Sequence, residues 1–165
     1  MKRVIAALAV GAVLVGGSVW VGAQSGRSAL EGVWQLQDMS YPKPSTYPIN
    51  KPVGMAIFAG THYSLMYVVN GGRPPLGLPG GEATATADQL RAVWGPFTAN
   101  AGTFQVAGNT LTRRPSVGKN PGVMATGNFL EDTFTLNGDT LVLTAVKDRN
   151  GPSVNPSTLR LTRVK

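Results

Sequence analysis

The chain has 165 residues, of which 21 are Gly and 12 are Pro, and only 14% are charged, with a net charge of +7. One domain of ordinary size fits that length. The low charge and the many helix breakers exclude a coiled coil and a highly charged disordered chain.

Met1-Lys2-Arg3 is a short basic start, and Val4 to Ala23 follow without a charge. Small residues at Val21-Gly22-Ala23 resemble a signal peptidase site, so residues 1–23 read as a secretory signal peptide. The alternative is an N-terminal membrane anchor, since twenty apolar residues reach across a bilayer. Residues 24–29 form a linker, and residues 30–165 form the domain. Removing Lys2 and Arg3 leaves 13 basic against 8 acidic residues, a net charge of +5. The expected location is periplasmic or extracellular. Cysteine is absent, so neither a lipid-modified cysteine nor a disulfide supports the fold, which must rest on its core.

Eight short strands are predicted. The first is Gly32 to Met39, followed by Val53 to Ala59 and His62 to Val69. A helix comes next, with a capping box formed by Thr86 and Gln89. Leu90, Val93 and Trp94 share one helical face, and Gly95-Pro96 stops it. The remaining strands are Gly102 to Ala107, Thr110 to Arg114, Asn128 to Leu136, Thr140 to Lys147 and Ser157 to Val164. Gly60, Gly108-Asn109 and Asn137-Gly138 supply hairpin turns. Consecutive hairpins imply antiparallel, up-and-down order. The expected fold is therefore all-β, an eight-stranded antiparallel barrel with one short helix between the third and fourth strands. Alternation sends Leu141, Leu143, Leu159 and Leu161 inward and the Thr-rich sets outward. Residues 41–52, 70–83 and 115–127 read as long loops, the usual place for binding function.

Gly32-Val33-Trp34 opens the first strand. Trp34 supplies a plug for one end of a barrel, and Gly32 permits close approach. Arg163 in the last strand shares a face with Leu159 and Leu161, which places a cation to stack on the indole. This set resembles the lipocalin and calycin signature. More particularly, Gly32-Val33-Trp34-Gln35-Leu36, the helix, Gly102-Thr103-Phe104, Lys119-Asn120-Pro121-Gly122 and the final hairpin resemble the bacterial and fungal lipocalin-like domain family. The likeness covers about Leu30 to Lys165. It implies a calycin-type barrel more than an activity. Two positions depart from it: Arg113-Arg114 stand where relatives often carry His, and Asp132 stands where they often carry a basic residue.

Arg113 shares a face with Leu111 and is the inward member of its pair. A guanidinium in a barrel mouth can hold a carboxylate or phosphate bidentately. Glu131 and Asp132 alternate across their strand, so they do not form a catalytic carboxylate pair; one of them can meet Arg113 or Arg163 as a buried ion pair. Tyr63, Leu65, Tyr67 and Val69 form one stripe that can line the interior. His62, the one histidine, reads as a surface turn residue. No catalytic set, metal site or cofactor is called for, since one His and no Cys do not make a zinc site. The basic residues are scattered, without a nucleic-acid-binding stripe. The leading expectation is an exported lipocalin-like protein that binds a small apolar or amphipathic ligand, with Arg113, Tyr63, Tyr67 and Asp132 as ligand contacts and Gly32, Trp34 and Arg163 as the structural signature. The alternatives are a barrel enzyme of isomerase or cyclase type and a non-catalytic envelope module whose interior is filled.

Overall fold

The computed structural model describes residues 28–71 and 81–165. The leader, the start of the linker and the middle of the 70–83 loop lie outside the described residues.

Nine strands follow in chain order: β1 (Gly32–Ser40), β2 (Val53–Ala59), β3 (His62–Val68), β4 (Phe97–Ala107), β5 (Thr110–Gly118), β6 (Leu130–Asn137), β7 (Thr140–Asp148), β8 (Gly151–Pro152) and β9 (Thr158–Arg163). Each of β1 to β7 pairs antiparallel with the next, β7 also pairs with β9, and β9 returns to β1. The result is a closed, up-and-down barrel of eight strands. The two-residue β8 is an addition that pairs with the end of β7. Closure removes the exposed edges that an open sheet would present.

Turn chemistry makes the hairpins. Gly60, Gly108 and Gly138 sit at φ of 57°, 59° and 56°, in the left-handed region where a Cβ is unfavourable. Helix α1 (Ala87–Trp94) lies between β3 and β4, and its Thr86–Gln89 capping box is present in full. Its Trp94 ring meets Phe97 at 5.9 Å between centroids.

Two strands are longer than the sequence pattern predicts by more than a single residue. β4 starts at Phe97 rather than Gly102, directly after the helix stop. β5 runs through Pro115 to Gly118 rather than ending at Arg114. A proline is tolerated there because β6 pairs with β5 only from Thr110 to Arg113, so no ladder bond on that side asks for its N–H. A register shift between Ala101 and Gly102 accommodates the crossing. The 115–127 loop shrinks accordingly and contains a 3₁₀ turn at Pro121–Met124.

The core fills one half of the barrel. Trp34, Leu111, Leu141 and Leu161 are fully buried there, beside Phe58 and Leu143. Phe58 meets Phe104 edge-on, with centroids 5.2 Å apart. The outside is two-faced. Thr133, Thr135, Thr140 and Thr162 face out on β6, β7 and β9, as alternation requires. On β2 to β4 the outward face is partly apolar, with Met55, Met66 and Ala99 in one cross-strand row.

The filled end is clasped by Arg163. Its guanidinium carbon lies 4.1 Å from the Trp34 ring centroid. Its Nη1 and Nη2 donate to the Glu31 and Ala29 carbonyls at 2.5 and 2.9 Å, while the Trp34 indole N–H donates to the Leu30 carbonyl at 2.7 Å. Gly32 has φ of 130°, and a Cβ on it would stand 2.8 Å from Arg163 Nη1. The close approach expected of Gly32 is thus an approach to this arginine.

Candidate functional site at the open end of the barrel

The opposite half of the barrel holds a cavity of about 530 Å³. Its apolar wall comes from Leu65 on β3, Leu130 on β6 and Ala145 on β7, with Val123 from the 3₁₀ turn and Val154 after β8. The volume and the mixed lining match those of small-molecule pockets. Two loops shape its surroundings. Tyr41, Tyr47 and Ile49 of the 41–52 loop pack against the core. Lys43 and Asn155 exchange two hydrogen bonds, the Lys43 N–H donating to Asn155 Oδ1 at 2.9 Å and the Asn155 amide donating to the Lys43 carbonyl at 3.2 Å. This reciprocal clamp ties the first loop to the chain between β8 and β9.

Polar groups are inset in the cavity floor. Arg113 and Asp132 are only 6% and 3% exposed. Both edges of their pair are engaged: Arg113 Nε donates to Asp132 Oδ2 at 2.7 Å, and Nη2 donates to Oδ1 at 3.0 Å. Their facing follows from alternation, which sets Arg113 on the face of Leu111 and Asp132 inward on β6. The buried ion pair foreseen from the sequence is therefore this one. It occupies the fork of Arg113 that would otherwise grip a ligand carboxylate.

Asn100 on β4 completes the cluster. Its Oδ1 accepts from Tyr63 Oη at 2.7 Å and from Arg113 Nη1 at 3.3 Å. The Arg113 guanidinium also lies 5.4 Å from the Tyr63 ring centroid. The sequence pattern starts this strand at Gly102, and its true start at Phe97 brings Asn100 into the sheet. The signal was available in Thr98, Asn100 and Gly102, which alternate with Ala99 and Ala101. Tyr67 lines the cavity from the mouth side, on the strand position paired with Thr98.

Electrostatics follow from burial. Desolvation pushes the Tyr63 and Tyr41 hydroxyls up to about 12, and it raises Tyr67 as well. These phenols are neutral hydrogen-bonding groups at ordinary pH, not bases. Burial alone would lower Arg113, but the charge and hydrogen bonds of Asp132 outweigh it, and the guanidinium stays firmly protonated.

Arg113, Asp132 and Tyr67 line this cavity, whereas Tyr63, expected as a ligand contact, does not: it is buried behind Asn100 and is joined to the site only by its hydrogen bond to that residue. Gly32, Trp34 and Arg163 are at the other end and do not touch the cavity. His62 is exposed at the start of β3, with Nδ1 3.3 Å from Thr61 Oγ1. Glu131 also borders the cavity, because a register shift between Glu131 and Asp132 breaks simple alternation. Among the described residues no three of His, Cys, Asp and Glu converge to hold a metal ion, and no helix is long and apolar enough to cross a membrane. Compared with known proteins, the chain matches no family model and no curated protein.

Proposed function

We propose that this is an exported lipocalin-like protein that binds a small apolar or amphipathic molecule in the open half of its barrel. One observation carries the reading: a cavity of about 530 Å³ stands over a polar cluster inside an otherwise filled barrel. Eight strands leave room for one small ligand. Aliphatic walls contribute affinity through burial, and a few inset polar groups orient the ligand. The open half supports this reading over a barrel filled by its own side chains. The clasp of Arg163 on Trp34 supports the lipocalin-like assignment, and the basic, then apolar, N-terminus supports export.

The test is binding of a neutral fluorescent apolar probe, N-phenyl-1-naphthylamine, to the purified domain. Saturable fluorescence enhancement is expected in the parent protein. Ala145→Trp, which fills the cavity from β7, is expected to abolish it while circular dichroism and the melting transition persist. Enhancement that survives in a folded Ala145→Trp protein, or none in the parent, overturns the proposal.

A further inference from the structure

The inset cluster restricts the chemistry of the ligand. We propose that the cavity selects an uncharged hydrogen-bonding head group, such as an alcohol, ketone or amide, over a carboxylate or phosphate on the same chain. The inference rests on the reading that the cavity binds a small amphipathic molecule, and it deepens that reading.

The argument begins with charge. An arginine at the base of an apolar pocket ordinarily marks an anion site. Here its bidentate edge is closed by Asp132 at 2.7 and 3.0 Å. The buried pair is neutral as a unit. The ionisable residues that border the cavity are Arg113 and Lys147 against Glu131, Asp132 and Asp148. Two cations face three carboxylates, so an entering anion meets a site with no cation to spare. It would also lose its hydration shell beside the Asp132 charge, which is costly without a partner.

The hydrogen-bond network then identifies what the cavity does offer. A guanidinium has donors and no acceptors. The Asn100 atom facing Arg113 Nη1 must therefore be the oxygen, and Tyr63 Oη, 2.7 Å away, donates to that same atom. This fixes the orientation of the amide. Its Nδ2 is turned away from the ion pair and donates to no protein group among the described residues, although Asn100 lines the cavity and is 9% exposed. An amide donor without a protein partner, at the floor of a cavity of mixed lining, can take an acceptor from a ligand. Thr98 and Tyr67 add hydroxyls on the mouth side. A carbonyl or hydroxyl oxygen satisfies Asn100 without adding charge. A neutral acceptor there takes the place of water on the amide, whereas an ionised head group also brings an unpaired charge beside Asp132.

The experiment compares decanol and decanamide with decanoate at about pH 8, where the acid is ionised, by displacement of N-phenyl-1-naphthylamine. The neutral ligands are expected to compete about tenfold or more better than decanoate, the scale of one hydrogen bond made and one charge left unpaired. Asn100→Leu is expected to shrink that ratio to about threefold or less by removing the donor. Asp132→Asn frees the Arg113 fork and is expected to reverse the preference. Decanoate competing as well as decanol in the parent protein overturns the inference and leaves cavity binding intact. Displacement by none of the three while the probe stays bound also overturns the inference, whereas absence of probe binding in the parent overturns cavity binding itself. Should Asp132→Asn fail to fold, the parent and Asn100→Leu ratios decide the matter alone. An unchanged ratio in folded Asn100→Leu counts against Asn100 as the selecting group.

Discussion

At the scale of single residues, Arg113 and Asp132 are defined by each other. Each is a buried charge whose cost is offset only by its partner. Arg113→Met and Asp132→Leu, made singly, are each expected to lose about 3–5 kcal/mol of stability, because each leaves an uncompensated charge. The double variant is expected to lose less than either single one, and urea denaturation of the four proteins closes the cycle. Losses that simply add would show the pair to be uncoupled. The tyrosines give a second prediction. The folded Tyr63 and Tyr41 hydroxyls ionise near 12, whereas an unfolded tyrosine ionises near 10.0. A raised pKa means that the folded state holds the proton longer. The stability contribution of these groups is complete below pH 10 and is lost as pH rises towards 12. Tyrosinate absorbance followed with circular dichroism should show late ionisation coupled to unfolding over that window. Ionisation of all four tyrosines near 10 with the fold intact would contradict it.

At the scale of elements, two glycines illustrate two separate demands on the chain. Gly138 turns β6 into β7 at φ of 56°, and a Cβ there would meet nothing within 4 Å. Gly138→Ala is expected to cost about 1–2 kcal/mol, the strain of a left-handed residue alone. Gly102 has ordinary φ, but a Cβ would fall 2.0 Å from the Arg114 carbonyl oxygen at the β4–β5 register shift. Gly102→Ala therefore forces backbone apart and is expected to cost about 3 kcal/mol or more; thermal melts of the two variants rank them. The difference explains what was legible in the sequence. Hairpins at Gly60, Gly108 and Gly138 were readable, because positive φ is a local demand with a local residue preference. The capping box at Thr86 was readable for the same reason. The early start of β4 and the run of β5 through Pro115 were not, since both depend on which neighbour a strand has and where that neighbour ends. Asn100 falls outside the strand that the pattern indicates, so the sequence offers a buried pair between Glu131 or Asp132 and Arg113 or Arg163 without the amide that joins Arg113 to Tyr63.

At the scale of the whole molecule, the barrel is divided into a packed end and a hollow end, and charge follows the division. The packed end is held by aromatic and aliphatic side chains under one arginine. The hollow end concentrates buried polarity where a visitor can meet it. The proposed export makes its own prediction. Protein recovered from the periplasm or medium of an expressing bacterium should begin at Gln24 by intact mass, and a chain retained in the membrane with Met1 present would favour the anchor. The clasp at the packed end also bears on timing. Arg163 and the Glu31 carbonyl that it binds are 132 positions apart, and β1 pairs with β9 along the seam of the barrel. Trp34 thus lacks the cover of Arg163, and β1 lacks one of its two partners, until nearly the whole domain has been synthesised. Hairpins can form early, but closure of the barrel between β1 and β9 needs the last strand. The proposed ligand capture therefore waits on closure of the barrel by the last strand.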